Sequence, residues 1–306
     1  MSDAVAAIDC GTNTARLLIS RGGRDVVRRE VVTRLGADLE RDGVLGVDAL
    51  GRLDAALTSF GADLASHGVT TVRAVATSAA RDAANSDALA AIVQRTVGVE
   101  PVILSGDDEA RLSFAGATAG LDATSAPFCV VDIGGGSTEF AVGAGDDLQV
   151  MSLDMGSVRF TERYIESDPP APEELLACIS VAEAHLSDLI REIPAAGDAA
   201  TYVAVAGTAL TVAAVEIGCE PDDHEAIHGF VLDRAAAEDV FRTLVTEPLE
   251  DRRHNPGLHP DRAEVIVGGA ALLVATMRAL SIDELVVSVH DLLDGLVAEA
   301  TPGRAS

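Results

Sequence analysis

The chain has 306 residues, with 22 basic side chains against 49 acidic ones and a formal net charge of −27 at pH 7. A chain of this length favours two domains, each large enough to bury its own core. The charge excludes a broad surface for nucleic acid or anionic membranes, and the absence of Lys excludes a P-loop lysine and Schiff-base chemistry.

The first half of the chain predicts three consecutive strands followed by alternating helices and strands. Apolar and β-branched runs predict the strands, and apolar residues at helical spacing predict the helices. The predicted elements are strands at 4–10, 14–21, 25–34, 70–76 and 100–104, and helices at 48–66, 87–97 and from Ser105 onward.

Two segments of this half could bind an anion. Asp9 is followed by the polar turn 11–13, in which glycine, backbone N–H groups and a hydroxyl can surround phosphate oxygens. The strand at 70–76 ends in a Thr-Ser pair, with Arg81 just inside the next helix, which also suits an anion. An ordinary capped helix with a surface Arg would have the same sequence, so both interpretations stand.

Three acids, Asp107, Asp108 and Glu109, follow Ser105 at the start of a predicted helix. Acidic side chains are stabilising near the positive end of a helix dipole, so all three can be structural. Alternatively, Glu109 points inward as a general base or metal ligand. The spacing alone leaves both interpretations open.

The second half opens with two apolar runs joined by three glycines, and the whole stretch extends from Val130 to Val142. Asp132 ends the first run, where it can hold a divalent cation, because Mg²⁺ is usually bound by one or two carboxylates together with phosphate oxygens. Further strands are predicted at 148–153, 202–206 and 284–288, and helices from Met155, at 173–190, 233–245 and 262–280, and from Asp291. The strand at 202–206 runs into Gly207 and Thr208, another transition suited to phosphate.

The glycine turns form a repeat. A hairpin bulge could have the composition of either turn alone, but Asp9 and Asp132 lie 123 residues apart and share the pattern Asp-x-Gly with a hydroxyl residue three positions further on. The repeat predicts two similar domains, at 1–122 and 123–306, whose turns face one ligand. Each domain is predicted to be a mixed sheet flanked by helices, with ligands bound at the strand ends.

The cysteines and the apolar stretches indicate a soluble cytoplasmic protein. Cys10, Cys129, Cys178 and Cys219 form no Cys-x-x-Cys pair and are expected to be small buried side chains in a reducing compartment. The N-terminus lacks the features of a signal peptide. The longest apolar stretch, 265–277, is too short to span a bilayer.

These segments together resemble the exopolyphosphatase/guanosine pentaphosphate phosphohydrolase (Ppx/GppA) family of the actin/Hsp70/sugar-kinase superfamily. The matching segments, in the order found in the family, are 8–18, 76–85, 105–112, 131–139 and 207–208. The resemblance implies an α/β fold of two ribonuclease H-like (actin-like ATPase) domains with an interdomain cleft.

The resemblance also implies roles for individual residues. Glu109 is implied as the catalytic base, and Glu109, Asp132 and Glu139 as ligands of Mg²⁺ or Mn²⁺, with Asp9 as a further candidate ligand. The implied phosphate-binding set is Thr12, Asn13, Arg16, Arg81, Gly134, Gly135, Gly136, Ser137, Thr138, Gly207 and Thr208.

The implied activity is metal-dependent hydrolysis of a phosphoric anhydride by a homodimer. The substrate is inorganic polyphosphate, from which terminal orthophosphate is released, or guanosine pentaphosphate, which loses its 5′-γ-phosphate. An alternative of another class is an ATP-binding kinase or actin-like protein. In that case Gly268, Gly269 and Ala270 would contact adenosine, although small residues also permit close helix packing.

The length of the chain indicates a short member of the family. It stops near residue 306, whereas long members add a helical C-terminal domain, so a preference for long polymers is not expected. The acidic surface would also repel a long polyanion outside the cleft. Short chains are therefore the expected substrates.

Overall fold

The computed structural model of the protein describes residues 4–301. Residues 1–3 and 302–306 lie outside the described range. The ends of the predicted domains at 1 and 306, and the first residues of the N-terminus discussed above, therefore also lie outside it. Among the described residues, no helix combines the length and the apolar composition needed to cross a membrane.

The described chain contains two β-sheets. The strands of the first are β1 Ala4–Cys10, β2 Thr14–Arg21, β3 Arg24–Val32, β4 Thr71–Ala76 and β5 Val102–Ile103, in the order β3-β2-β1-β4-β5. The strands of the second are β6 Phe128–Ile133, β7 Thr138–Ala144, β8 Asp147–Leu153, β9 Thr201–Val205, β10 Val231–Asp233 and β11 Glu284–Val287, in the order β10-β11-β9-β6-β7-β8. β1 and β6 are central strands, and both are buried along their full length.

The helices follow the predicted alternation with the strands. They are α1 Leu39–Asp42, α2 Val47–Ser66, α3 Ser78–Asp82, α4 Ser86–Val97, α5 Gly106–Thr118, α6 Ser157–Tyr164, α7 Pro172–Glu192, α8 Ala206–Ile217, α9 His224–Ile227, α10 Arg234–Thr246, α11 Leu249–Arg252, α12 Ile266–Ala279 and α13 Leu292–Ala300. α1, α9, α11 and β10 are additions to the prediction, and each is only three or four residues long. Elements of this length have too few residues for a periodic apolar pattern.

The two sheets share one topology. Each begins with an antiparallel meander of three strands (β1 to β3, and β6 to β8), and the next strand then pairs in parallel with the first strand of the meander. This is the ribonuclease H-like arrangement predicted from the sequence. The α/β class with two mixed sheets flanked by helices is therefore confirmed.

Two compact units can be distinguished. The first comprises residues 4–116 with 292–301, and the second comprises 117–291. α13 belongs to the first unit because Leu292, Leu293 and Leu296 are buried against apolar side chains of β1, β2 and β4. The sequence analysis assigned this helix to the second domain. The division into domains at 1–122 and 123–306 stays a prediction.

The second unit is built around α12. Twelve consecutive residues of this helix, 266–277, are buried, because α6, α7, α8 and α10 surround it. Gly268 and Gly269 lie within α12, where a β-carbon would come within 3.0 Å of atoms of α6 and α8. Close helix packing therefore accounts for these glycines, as the second interpretation of this segment proposed.

Candidate active site

In the first unit, three polar segments meet at one edge of the sheet. β1, β4 and β5 are parallel neighbours, so their carboxyl ends lie side by side. They lead into the turn at 11–13, the start of α3 and the start of α5, respectively. These are the segments that carry the predicted residues of the first half. An edge formed by the carboxyl ends of parallel strands is where ligands bind in such sheets.

The turn at 11–13 is fixed by its own backbone and by the segment after β3. The N–H of Gly11 donates to the carbonyl of Thr14, and the carbonyl of Thr12 accepts from Gly36. The carbonyl of Asn13 accepts from Thr33 and from Arg34, both at 2.9 Å. Four backbone hydrogen bonds therefore hold the conformation of the turn.

The Asn13 side chain offers a free donor at this turn. Asn13 is 8% exposed, and its Nδ2 has no hydrogen-bond partner among residues 4–301. A buried amide without a partner is unusual in a native structure, since leaving it unpaired costs free energy. A phosphate oxygen, which is an acceptor only, is the type of group that would satisfy it.

Arg16 forms an ion pair within the sheet. Asp9 and Arg16 are register partners on β1 and β2, and the Asp9 Oδ2 atom lies 2.7 Å from Nη2 and 3.0 Å from Nε of the guanidinium. This pair neutralises the Asp9 carboxylate without a metal. The role of Asp9 as a metal ligand stays a prediction.

Cys10, which lies between Asp9 and the turn, is not a nucleophile. Burial raises the pKa of the Cys10 thiol, and the Asp9 carboxylate adds to the rise. The side chain is fully buried and remains a neutral thiol. It fills space in the core, as the sequence predicted.

Arg81 and Glu109 are brought together at the same edge. Arg81 Nη1 lies 2.8 Å from Glu109 Oε2 and also donates to the carbonyl of Leu104 at 2.9 Å. Glu109 is 9% exposed, whereas Asp107 and Asp108 on the same turn are exposed. Glu109 thus faces inward and its neighbours face the solvent, and Asp108 accepts a hydrogen bond from the Ser105 hydroxyl at the start of the helix.

In the second unit, the glycine turn is held by the start of α6. The carbonyl of Gly134 accepts from the N–H of Ser157, and the carbonyl of Gly135 accepts from Val158 and Arg159. The Nε of Arg159 donates to the carbonyl of Gly136 at 2.7 Å. Three successive carbonyls therefore point towards α6.

This anchoring decides where the N–H groups of the turn point. The N–H and C=O groups of a trans peptide unit lie on opposite sides. Because the carbonyls at 134–136 face α6, the N–H groups at 135–137 face away from it. Successive N–H groups in this arrangement can form an anion-binding concavity, which ends at Ser137. A β-carbon at Gly156 would overlap Gly135, so this close approach requires glycine.

Two carboxylates lie on one face of the second sheet. Asp132 and Glu139 are register partners on β6 and β7, which places their side chains next to each other on the same face. They are 6% and 1% exposed. Glu139 Oε1 also accepts a 2.7 Å hydrogen bond from Ser152, its register partner on β8.

The two turns correspond residue by residue. Adding 123 to each number of the first turn gives the second: Asp9 with Asp132, Gly11 with Gly134, and Arg16 with Glu139. The hydrogen bond from Gly11 to Thr14 likewise corresponds to that from Gly134 to Ser137. The charge differs in sign at one position: Asp9 faces the positive Arg16 in the first unit, whereas Asp132 faces the negative Glu139 in the second. Two adjacent buried anions are the donor set that a divalent cation prefers.

Gly207 and Thr208 lie at the carboxyl end of β9, beside the Asp132 turn. β9 is the parallel neighbour of β6, and Val205 is the register partner of Asp132. Ala206 has a positive φ of 63°, which is a strained conformation for a residue with a side chain. Such strain is often retained at ligand-binding turns.

Arg262 is a cation at this turn that was not predicted from the sequence. A β-carbon at Gly207 would overlap the Arg262 guanidinium, so the arginine lies directly on the glycine. More than 50 residues separate the two positions in the sequence, and no motif links them. The sequence predicted Arg262 as the first residue of a helix, but that helix begins at Ile266, after a short turn at Pro260–Arg262.

The strain at Ala206 leads to a stability prediction. We expect Ala206→Gly to raise the free energy of unfolding by about 0.5–1 kcal/mol, because relief of the left-handed conformation exceeds the added freedom of the unfolded chain. Ala209→Gly, on the same helix at an ordinary φ, should lower it by about 1 kcal/mol. Denaturant titration measures both, and destabilisation of equal size in the two variants would contradict the prediction.

Each unit therefore places glycine or hydroxyl turns, arginine and carboxylates at the carboxyl edge of a ribonuclease H-like sheet, and these features are typical of α/β proteins that bind phosphate. A family model described as the Ppx/GppA phosphatase family matches residues 19–302. The chain belongs to this family, as the resemblance indicated. The roles of the individual site residues stay predictions.

Similar proteins are found by sequence and by structure. Exopolyphosphatase 2 of Mycobacterium tuberculosis is 38% identical over 309 aligned residues, which cover 95% of this chain and 97% of that protein. The crystal structure of an exopolyphosphatase-like protein matches with a TM-score of 0.91 at 36% identity, covering 97% of this chain and 98% of that one. A Ppx/GppA family member of Aquifex aeolicus matches over 100% of both chains, with a TM-score of 0.81 and 31% identity.

Proposed function

We propose that this protein is an exopolyphosphatase that hydrolyses the terminal phosphoanhydride of short inorganic polyphosphate with the aid of a divalent cation, Mg²⁺ or Mn²⁺. The observation that carries the proposal is the inward-facing Glu109, held by Arg81 at the edge where the phosphate turn of the first unit lies. The 38% identity to an exopolyphosphatase over nearly the whole chain supports polyphosphate as the substrate.

The residues of the first unit account for activation of water. Glu109 accepts a proton from a water molecule through a carboxylate oxygen, and Arg81 keeps that carboxylate oriented. The water oxygen then forms a bond to the terminal phosphorus as the bridging P–O bond breaks, so that orthophosphate and a chain shorter by one phosphate result. Asn13 and Arg16 bind phosphate oxygens with an amide and a guanidinium.

The residues of the second unit account for neutralisation of charge. The N–H groups at 135–137, the Thr208 hydroxyl and the Arg262 guanidinium bind phosphate oxygens at the carboxyl ends of β6 and β9. Asp132 and Glu139 fit a divalent cation because their donors are oxygens and because their adjacent charges have the opposite sign. When bound, such a cation would offset the negative charge that phosphoryl transfer concentrates on the substrate.

The activity can be tested with four substrates in parallel. Purified protein with Mg²⁺ would receive tripolyphosphate, long-chain polyphosphate, guanosine pentaphosphate, and ATP with sugars. We expect orthophosphate release from polyphosphate. Release from guanosine pentaphosphate alone would identify the second activity of the family, and transfer of phosphate to a sugar would indicate a kinase. The predicted homodimer and cytoplasmic location stay predictions.

The preference for short chains gives a prediction about salt. With a net charge of −27, the surface should repel the part of a long polymer that extends beyond the bound end. Raising KCl from about 0.1 to about 1 M shortens the screening length from about 10 to about 3 Å. The ratio of kcat/KM for tripolyphosphate to that for long chains should therefore fall by about 3-fold or more. A ratio that stays constant or rises would remove surface repulsion as the cause of the preference.

A further inference from the structure

Arg252 is a buried cation that is not part of the candidate active site. It is 3% exposed, and all three guanidinium nitrogens donate to backbone carbonyls. Nε donates to Leu244 at 2.9 Å, Nη1 to Ala263 at 3.0 Å, and Nη2 to Glu247 at 2.8 Å. Burying a charge is unfavourable unless such bonds compensate for the loss of water. The side chain is therefore fixed in one orientation.

These bonds connect two parts of the second unit. Leu244 and Glu247 lie at the end of α10, and Arg252 itself is the last residue of α11. Asp168 strengthens the arrangement, because it accepts from the N–H of Leu249 at 2.9 Å and lies 3.6 Å from Nη2 of Arg252. The end of α10 thus fixes the position of Arg252, including the Nη1 atom that donates to Ala263.

The Nη1 atom of Arg252 binds the segment that contains Arg262. Ala263, whose carbonyl accepts the bond, follows Arg262 directly in the chain and is itself fully buried. The preceding residues, at 259–261, are exposed, and their turn is closed by the N–H of Arg262 donating to the carbonyl of His259. The bond from Arg252 therefore fastens this otherwise exposed turn immediately beside the arginine that lies on Gly207.

We propose that Arg252 is a positioning residue: through the Ala263 carbonyl it holds the Arg262 guanidinium on the Gly207 turn and so sets the affinity for the substrate phosphate bound there. The proposal rests on the proposed function, because it assigns that turn to phosphate. A purely structural role predicts unchanged substrate affinity in a folded variant, whereas the positioning role predicts weaker binding that depends on Arg262. The planar guanidinium directs its donors at three separate carbonyls, which the single ammonium group of lysine cannot do in the same geometry.

A double-mutant cycle tests the proposal. Arg252→Met, Arg262→Gln and the double variant would each be combined with Glu109→Gln, so that tripolyphosphate binding can be measured by calorimetry without turnover. We expect each single change to weaken binding by roughly 10-fold, which is the range for a charge-assisted hydrogen bond. The double variant should bind about as weakly as Arg262→Gln alone, because Arg252 acts through Arg262.

Arg242→Met is the matched control. Arg242 lies on α10, is exposed and pairs with Asp239, and makes no bond to the segment at 259–263. Its replacement should leave the dissociation constant unchanged. Losses that multiply in the double variant, to roughly 100-fold, would overturn the proposal, as would unchanged binding in Arg252→Met.

A second variant covers the case in which Arg252→Met does not fold. Arg252→Lys keeps the charge but cannot reach three carbonyls at once. It should again weaken binding only when Arg262 is present, and a folded Arg252→Lys protein with wild-type affinity would refute the proposal. If the parent protein binds neither tripolyphosphate nor inorganic phosphate, the proposed function itself fails. If the Glu109→Gln parent binds tripolyphosphate but the effects of Arg252 and Arg262 are independent, only the positioning role of Arg252 is refuted.

Discussion

Glu109→Gln is expected to lower kcat for tripolyphosphate by about 10²-fold or more and to leave KM within about 3-fold of wild type. The amide has the shape of the carboxylate and can still accept a hydrogen bond from Arg81, so the edge of the first sheet should keep its structure. It cannot accept a proton from water, because an amide is a very weak base. Steady-state kinetics at saturating Mg²⁺ measure both constants.

Asp108→Asn is the matched control for this change. Asp108 precedes Glu109 on the same helical turn, but it is exposed and bonded to the Ser105 hydroxyl. Removing its charge should change kcat by less than about 2-fold and stability by less than about 1 kcal/mol. An unchanged kcat in Glu109→Gln would show that Glu109 is not the base. A large loss of kcat in Asp108→Asn would make Asp108 the candidate base instead.

The local parts of the fold and site were predictable because they depend on neighbours in sequence. The meander from β1 to β3 follows from apolar runs separated by glycine turns, and the repeat at a spacing of 123 residues predicts a second meander. Thr12, Gly134 and Gly207 could be proposed because each lies within two residues of the end of a strand. An element and the turn after it are encoded within about ten residues, so a motif can report both.

The remaining features depend on tertiary packing. Arg262 reaches Gly207 only because a turn separates it from α12, and the sequence gives no signal for this contact. α13 packs in the first unit because its leucines are buried with apolar side chains of β1, β2, β4 and α5, although it follows the second sheet in the chain. The orientation of Glu109 was open in the sequence because a dipole-stabilising acid and an inward-facing acid occupy the same helical turn.

The repeat also explains where a cation should act. The same ladder position carries Arg16 in the first unit and Glu139 in the second, each beside a buried aspartate. In the first unit the arginine supplies the positive charge from within the chain, at 2.7 Å from Asp9. In the second unit the corresponding position adds a negative charge. We therefore expect the divalent metal to bind in the second unit, where Asp132 and Glu139 lie side by side on the ladder.

Glu139→Gln is accordingly expected to have opposite effects on stability without and with the metal. In the presence of a chelator, the variant should be about 1 kcal/mol more stable than wild type, because like charges that face each other across a ladder are repulsive and glutamine keeps the acceptor for Ser152. With Mg²⁺ or Mn²⁺ at about 100 times the dissociation constant, wild type should gain about 2.7 kcal/mol and the variant almost nothing. Denaturant unfolding under both conditions measures the two differences, and kcat/KM should fall by about 10²-fold.

Glu183→Gln provides the comparison for that experiment. Glu183 is exposed on α7, so its replacement should leave both the metal-free stability and the stabilisation by the cation unchanged. If Mg²⁺ stabilised Glu139→Gln as much as wild type, the cation would have to bind elsewhere. A metal-free Glu139→Gln protein less stable than wild type would mean that the two carboxylates do not repel each other. In that case the reversal of sign between Arg16 and Glu139 would no longer explain the need for a metal in the second unit.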